Sequence, residues 1–295
     1  MALLAVQLLF GSLPVIAKPV LSVIPAVPLV GIRVGITAIV LFVFQLGRGR
    51  IWLVEKGDYL KLAVLSLFGV TLNQLLFVGG LSFTKAANTS LLVVTIPIFT
   101  LIVSAIVGRD RLTALKVVGI ALAASGAVFL IDPRKASFSS ETTLGDVMII
   151  LNSLAFGIYV ACSKDVVTRN GPFRSMTWVF IFAAMICLPL GMIFFPLEGI
   201  SSIGTTTWLV VVYISIFATA LPYLLNAFAL SKVSPAAVTV FVYLQPLIGF
   251  LLANTFLNET IDFKFAIATC LIFSGVFLTT RRDTPKASAE GLPSV

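Results

Sequence analysis

Apolar residues in this chain gather into ten long runs separated by short polar connections. Each run is close to the roughly 20 residues that an α-helix needs to cross a bilayer, and none alternates as a membrane β-strand does. Backbone groups in lipid must be hydrogen-bonded internally, which favours helices. The pattern therefore predicts an all-α integral membrane protein with ten transmembrane helices, at about 2–17, 26–46, 59–80, 86–107, 113–131, 145–166, 174–196, 205–229, 235–255 and 261–280.

The runs divide into two sets of five that align with each other. A shift of 149 positions places Pro97 on Pro246 and Gly126 on Gly275 without a gap. The alternative is a chance alignment of helices rich in Leu, Val and Ala. Because five is odd, the second set must cross the bilayer in the opposite sense, so we expect two inverted repeats around a central cavity. The predicted divisions are a first five-helix repeat at 1–131, an extramembrane linker at 132–144, a second five-helix repeat at 145–282 and a disordered cytoplasmic tail at 283–295.

Composition excludes a soluble domain. The 295 residues are 59% hydrophobic and 11% charged, whereas soluble domains are about 45–50% apolar and about 25% charged. The net charge of +8 is explained by topology and not by nucleic acid. With the amino end inside, 14 Lys and Arg lie on the cytoplasmic side and 5 outside, which predicts that both termini are cytoplasmic. We expect a multi-pass protein of the cell (inner) membrane.

The residues that most enzymes need are missing. The chain has no histidine, and Cys162, Cys187 and Cys270 lie in apolar runs without CxxC spacing, as small buried residues do. Neither GxxxxGK[ST] nor GxSxG occurs, and no carboxylate lies in the middle of a span. We expect no catalytic residue, no metal site and no cofactor, and an intramembrane enzyme is disfavoured.

Polar residues in the middle of the runs concentrate on spans 1, 3, 4, 6, 8 and 9, and spans 5 and 10 have few. Any single one is explained by a contact between helices worth about 0.6 kcal/mol. As a set, which also includes Gln7 and Asn152, they predict a cavity lined by six helices. The residues chosen as its lining are Ser12, Asn73, Gln74, Phe77, Asn88, Thr95, Phe156, Tyr159, Tyr223, Asn226, Thr239, Tyr243 and Gln245.

Three residues are candidates for gating or for a hinge. Arg33 is the one full charge well inside a span, which is a functional signal by default. At a depth of about 10 Å, snorkelling to the surface is the alternative. Pro97 and Pro246 lie near the middle of their spans, where proline kinks a helix. Each is interpreted either as a pivot for rocking motion or as a packing kink.

Spans 5 and 10 carry small residues at helical spacing, including Gly119, Gly126 and Gly275. Such faces allow close approach of helices, within the bundle or between protomers. We expect a monomer or a weak homodimer.

Several segments together resemble the EamA branch of the drug/metabolite transporter superfamily. They are "FGSLPVIAK" at 10–18, Arg33 early in span 2, "AANTSLL" through to Pro97, "SGAVFLI" at 125–131 and "SPAAVTVFVYLQPLIGFLLANTFLNE" at 234–259 followed by "FSGVFL". The chain departs from the branch at Leu13, where asparagine is common. The resemblance implies export or exchange of small metabolites, often amino acids, through a central cavity by alternating access.

The sequence thus predicts a secondary transporter that exports small metabolites, amino acids or related compounds, across the cytoplasmic membrane. A channel-like or facilitative pore is the alternative. The expected partners are a small-molecule substrate and the lipid bilayer, without nucleic acid.

Overall fold

The computed structural model describes residues 1–131, 133–195, 203–248, 251 and 263–281, and the predicted tail at 283–295 lies outside these ranges. Ten helices follow one another in the described residues. They are α1 (Ala2–Leu21), α2 (Ala26–Gly47), α3 (Gly57–Phe83), α4 (in two pieces, Ala86–Val93 and Ile96–Ile106), α5 (Ala114–Ile131), α6 (Thr143–Asn170), α7 (Pro172–Ile193), α8 (Thr205–Leu230), α9 (Pro235–Ile248) and α10 (Phe263–Thr280).

These helices fall on the ten predicted apolar runs. Eight of them, α2 to α8 and α10, contain a helix that is long and apolar enough to cross a membrane, and the apolar parts of α1 and α9 are shorter. The described residues contain no β-strand. The prediction of an all-helical membrane protein is therefore confirmed. Large apolar side chains such as Val43, Ile106, Met185 and Phe277 are exposed on the outside of the bundle, as lipid contact requires.

The main packing contacts join helices that are distant in the chain. α5 packs along α10, α2 along α7, α3 along α6 and α1 along α8. The predicted small-residue faces meet where α5 crosses α10. A Cβ atom on Gly119 would lie 2.8 Å from the carbonyl oxygen of Gly275, and one on Gly126 would lie 2.9 Å from that of Ala268. These glycines therefore serve contact inside the bundle.

Two of the helices contain a π-helical segment. The segments are Leu67–Leu72 in α3 and Ile216–Ala220 in α8, and they begin 149 positions apart. Such segments add one residue to a turn and disturb the regular backbone bonds, which places carbonyl groups within reach of side chains. Each segment buries three consecutive residues, Gly69–Thr71 in α3 and Ala218–Ala220 in α8.

The helices α4 and α9 are interrupted before their prolines. The first piece of α4 ends at Val93, and Pro97 is the second residue of the next piece. In α9 the chain is 3₁₀-helical over Val240–Leu244, and Pro246 follows as the second residue of the resumed α-helix. Proline suits the first turn of a helix because its missing N–H is not needed there. Each proline thus starts a new helical piece instead of bending a continuous one.

Candidate functional site

A cavity lies at the centre of the bundle between α1, α3, α4, α6, α8 and α9. These are the six helices on which mid-span polar residues were concentrated. Its volume is about 100 Å³, which is room for several water molecules. The lining is Gln7, Phe10, Leu13, Asn73, Gln74, Phe77, Val93, Ile96, Asn152, Phe156, Tyr223, Asn226, Val238, Thr239, Val242 and Gln245.

Tyr223 of α8 connects the two sides of the cavity wall. Its hydroxyl accepts a hydrogen bond from Gln74 Nε2 at 3.3 Å and lies 2.8 Å from the carbonyl oxygen of Gly69. The hydroxyl has one proton to donate, and Gly69 lies in the π-helical segment of α3. The ring packs edge-on against Phe10 and Phe180, with centroids 5.8 and 5.2 Å away. Tyr223 therefore holds α8 against the irregular turn of α3.

Two other polar contacts cross the cavity wall. Gln245 Nε2 donates to Gln7 Oε1 at 2.8 Å, which joins α9 to α1. Asn152 Nδ2 donates to the carbonyl oxygen of Asn73 at 2.7 Å, which joins α6 to α3. Asn226 Oδ1 is buried and has no partner in the described part of the chain. Since buried acceptors are nearly always paired, this oxygen is available to a donor on a bound molecule.

The cavity wall carries no formal charge among its described residues. Arg33 lies outside the lining and is 2% exposed. Its NH2 group donates to Thr219 Oγ1 at 2.7 Å, and its Nε has no partner in the described structure. The side chain therefore turns inward toward α8 and does not snorkel to the surface.

Eight of the thirteen residues predicted to line the cavity do so, and the remaining five lie elsewhere. Ser12 and Thr95 donate within their own helical turns, to the carbonyl oxygens of Leu9 and Leu92. Tyr159 lines a smaller space beside the cavity and donates to Met176 Sδ at 3.4 Å. Tyr243 is buried between α9, α5 and α10 in an apolar cluster.

Asn88, the fifth, belongs to a buried polar network at the start of α4. Its Nδ2 lies 3.0 Å from Asp146 Oδ1, and its Oδ1 accepts from the backbone N–H of Ser137 at 3.0 Å. Asp146 also accepts from the hydroxyls of Thr84 and Thr142. These bonds hold the α5–α6 linker against the beginning of α4, which is a structural role for Asn88.

Eight of the sixteen residues that line the cavity were not predicted from the sequence. Gln7 and Asn152 belonged to the set of mid-span polar residues but were not chosen. Six apolar residues were also left out, and their only signal is helical spacing from chosen residues, as Val238 and Val242 have from Thr239 and Gln245. The six are Phe10, Leu13, Val93, Ile96, Val238 and Val242.

A bundle of membrane-length helices around a polar cavity is an arrangement typical of membrane transport proteins. The comparison with known families agrees with this class, because the model of the EamA-like transporter family matches residues 1–132 and 143–281. The chain belongs to the EamA-like transporter family. It is a multi-pass membrane transporter and not an enzyme.

Relatives of the chain are mostly of unknown substrate. An uncharacterized transporter of Archaeoglobus fulgidus is 28% identical over 77% of this chain and 78% of its own. The uncharacterized transporter YetK of Bacillus subtilis is 24% identical over 97% of this chain and 88% of its own. A probable terminal-alkyne amino-acid exporter of Streptantibioticus cattleyicolor is 22% identical over 80% of this chain and 78% of its own. A solved crystal structure that is 19% identical has the same fold, with a TM-score of 0.76 over 95% of this chain and 96% of that one.

Proposed function

We propose that this transporter exports small uncharged or zwitterionic metabolites, amino acids or related compounds, across the cytoplasmic membrane by alternating access. The observation that carries the proposal is the central cavity, whose polar groups are amides, a phenol and a hydroxyl. A substrate with a net charge would need a charged partner in such a buried place. The name of the amino-acid exporter among the relatives supports the same substrate class.

The cavity lining has a polar part and an apolar part, which suit the charged groups and the side chain of an amino acid. Gln7, Gln245 and Asn226 offer donors and acceptors for an ammonium and a carboxylate group. Phe10, Phe77 and Phe156, with the aliphatic residues, form an apolar wall for a side chain. The proposed substrate-contacting groups are therefore the amides and Tyr223, and the aromatic wall selects by size and shape.

We also propose that the protein consists of two inverted five-helix repeats, 1–131 and 145–282, with both termini in the cytoplasm. The two π-helical segments begin 149 positions apart, which supports the shift of 149 positions found in the sequence. Gln74 bonds to Tyr223, its own equivalent at that shift. The α3–α6 contact has its counterpart in α8–α1, and the family matches two stretches separated by the linker. The small-residue faces are used inside the bundle, which supports a monomer or a weak homodimer.

The proposed motion pivots at the interruptions of α4 and α9. Ile96 lines the cavity one residue before Pro97, and Gln245 lines it one residue before Pro246. A helix that restarts at this depth has fewer backbone bonds to break when its two pieces rotate against each other. In this proposal Pro97 and Pro246 are hinge residues, and Arg33 fixes α2 to α8 on one side of the moving parts.

Flux into proteoliposomes tests the proposal. Purified protein is reconstituted, and uptake of labelled amino acids is measured with and without unlabelled amino acid inside. We expect saturable uptake that internal substrate accelerates. Asn226→Leu removes an acceptor worth about 1–1.5 kcal/mol, so its half-saturation concentration should rise about tenfold.

The lipid-facing variant Met185→Ala is the matched control and should transport as the parent does. Uptake that does not saturate, accompanied by ionic conductance, would replace the carrier with the channel-like pore. Unchanged half-saturation in Asn226→Leu would remove this residue from the substrate site.

A further inference from the structure

A second pocket lies at one end of the bundle, where α2 ends and α7 begins. It has a volume of about 190 Å³. Its wall is formed by the end of α2 with the turn after it, and by the junction of α6 and α7. Three arginines converge on it, Arg48, Arg50 and Arg174, and none of the described residues that line it is a carboxylate.

Among the described residues, no carboxylate balances the positive charge of this pocket. The nearby carboxylates are bound by other side chains: Asp58 and Glu55 pair with Arg169, and Asp165 pairs with Arg109. Within the described structure, none of the three pocket arginines forms an ion pair. The pocket is therefore a concentration of cationic groups that has room for an anion.

The geometry of the pocket is held in place. The Arg48 guanidinium lies over the rings of Phe44 and Phe173, at 5.8 and 5.2 Å from their centroids, and these rings stack on each other at 5.2 Å. Arg174 donates to the carbonyl oxygen of Trp52 at 3.2 Å. Side chains that are already ordered lose less entropy when they bind a ligand.

A buried amide points to the chemistry of the ligand. The start of α7 and the ends of α2 and α6 all lie at the pocket, so their helix dipoles offset one another and the arginines supply the attraction for an anion. Gln45 is 3% exposed, and its Nε2 donates to the carbonyl oxygen of Arg50 at 2.5 Å. Its Oε1 is buried without a partner in the described residues, so this pocket also contains an acceptor that requires a hydroxyl or another donor.

The position favours a lipid over a free anion. The pocket lies at the end of two spanning helices, and beside it α2 exposes Phe42, Val43 and Phe44. A bound phosphate group would therefore sit next to an exposed apolar surface of α2. Basic pockets at such positions recognise anionic head groups.

We propose that this pocket binds an anionic phospholipid with a hydroxyl-bearing head group, of the phosphatidylglycerol type. The phosphodiester lies among Arg48, Arg50 and Arg174, a head-group hydroxyl donates to Gln45 Oε1, and the acyl chains follow the exposed face of α2. This site is separate from the central cavity and does not depend on which substrate is transported.

Lipid binding to the purified full-length protein tests the site. In detergent, phosphatidylglycerol should raise the melting temperature by about 5 °C near saturation, and phosphatidylcholine or inorganic phosphate at the same concentration should not. Native mass spectrometry should show one retained phosphatidylglycerol. Arg50→Gln should abolish the shift and the retained lipid, because it removes one of the three phosphate-binding groups. The variant itself should stay as stable as the parent, because the Arg50 side chain forms no hydrogen bond or ion pair with the described residues. Arg111→Gln, an exposed arginine outside the pocket, is the control.

Each of the other outcomes overturns the proposal. An equal shift with inorganic phosphate would make this an anion site that does not recognise lipid. An equal shift with phosphatidylcholine, or a shift retained in Arg50→Gln, would show that lipid stabilises the protein elsewhere. Gln45→Leu should weaken phosphatidylglycerol more than phosphatidic acid, and equal weakening would remove the head-group hydroxyl from the site.

Discussion

The π-helical segments of α3 and α8 are the same backbone feature with different partners. In α3, the carbonyl oxygen of Gly69 accepts from Tyr223, a residue of the cavity wall. In α8, the carbonyl oxygen of Ser215, just before the segment, accepts from Thr37 of α2 at 2.9 Å. The first segment is therefore linked to the central cavity, and the second is anchored to a neighbouring helix away from it. Similar irregularities in one chain are bonded to the cavity wall in one place and to a neighbouring helix in the other.

The two segments also differ at their tightest point. Gly69 faces the ring of Tyr159 so closely that a Cβ atom would lie 2.3 Å from a ring carbon. The residue 149 positions later is Ala218, which is buried. At this position the segment of α3 therefore has no room for a Cβ atom, whereas the segment of α8 holds one.

The largest expected effect on stability comes from exchanging the glycine and the alanine at these equivalent positions. Gly69→Ala should destabilise the protein by about 1–3 kcal/mol or more, because Tyr159 must leave its place. Ala218→Gly is the matched change in α8 and should cost only about 0.5–1 kcal/mol. Melting temperatures in detergent measure both. Equal losses would mean that the two segments are packed alike.

A second pair of variants removes the side-chain donor that bonds to the backbone at each segment. Tyr223→Phe and Thr37→Val each leave a buried carbonyl oxygen without its partner, at a cost of about 1–3 kcal/mol. Their effects on transport should differ. Flux per folded molecule should fall about tenfold in Tyr223→Phe and stay at the parent level in Thr37→Val. An equal loss of flux in both variants would show that the Tyr223 bond is no more important for transport than the Thr37 bond.

The smallest expected change in stability is that of Arg33→Met. Among the described residues, the buried guanidinium has a hydrogen bond to Thr219 and no partner for its Nε, so its burial is poorly compensated. Replacing it with an apolar side chain should leave stability within about 1 kcal/mol of the parent or above it. Transport should be lost, since a charge kept in a span serves function. Full transport with reduced stability would show that the bond from Arg33 to Thr219 is structural only and that Arg33 has no role in transport.

The helices could be predicted from the sequence because length and apolarity are what the bilayer requires of them. The breaks could be predicted only in part. Pro97 and Pro246 marked their positions, but a proline alone does not distinguish a kink from a restarted helix. The π-helical segment Leu67–Leu72 reads "LFGVTL" and has no proline or charge to reveal it. Its form depends on Tyr223 and Tyr159, which come from other helices.

The cavity was predictable where burial in lipid is costly. Asn73, Gln74 and Gln245 were recognised because an amide in a span needs a partner. Asn88 satisfies the same rule, but its partners are Asp146 and the linker, and spacing along the chain does not reveal that they meet. The apolar lining was hidden because those residues look like the rest of any span.

The contact between Gln74 and Tyr223 has a consequence for energetics if the repeats are inverted as proposed. Residues that are equivalent and also touch must lie on the pseudo-twofold axis that exchanges the halves. Perfectly identical halves would make the inward-open and outward-open forms degenerate. In that arrangement the axis passes between an amide and a phenol of the cavity wall, and this pair would be one of the differences between the halves that make the two forms unequal in free energy.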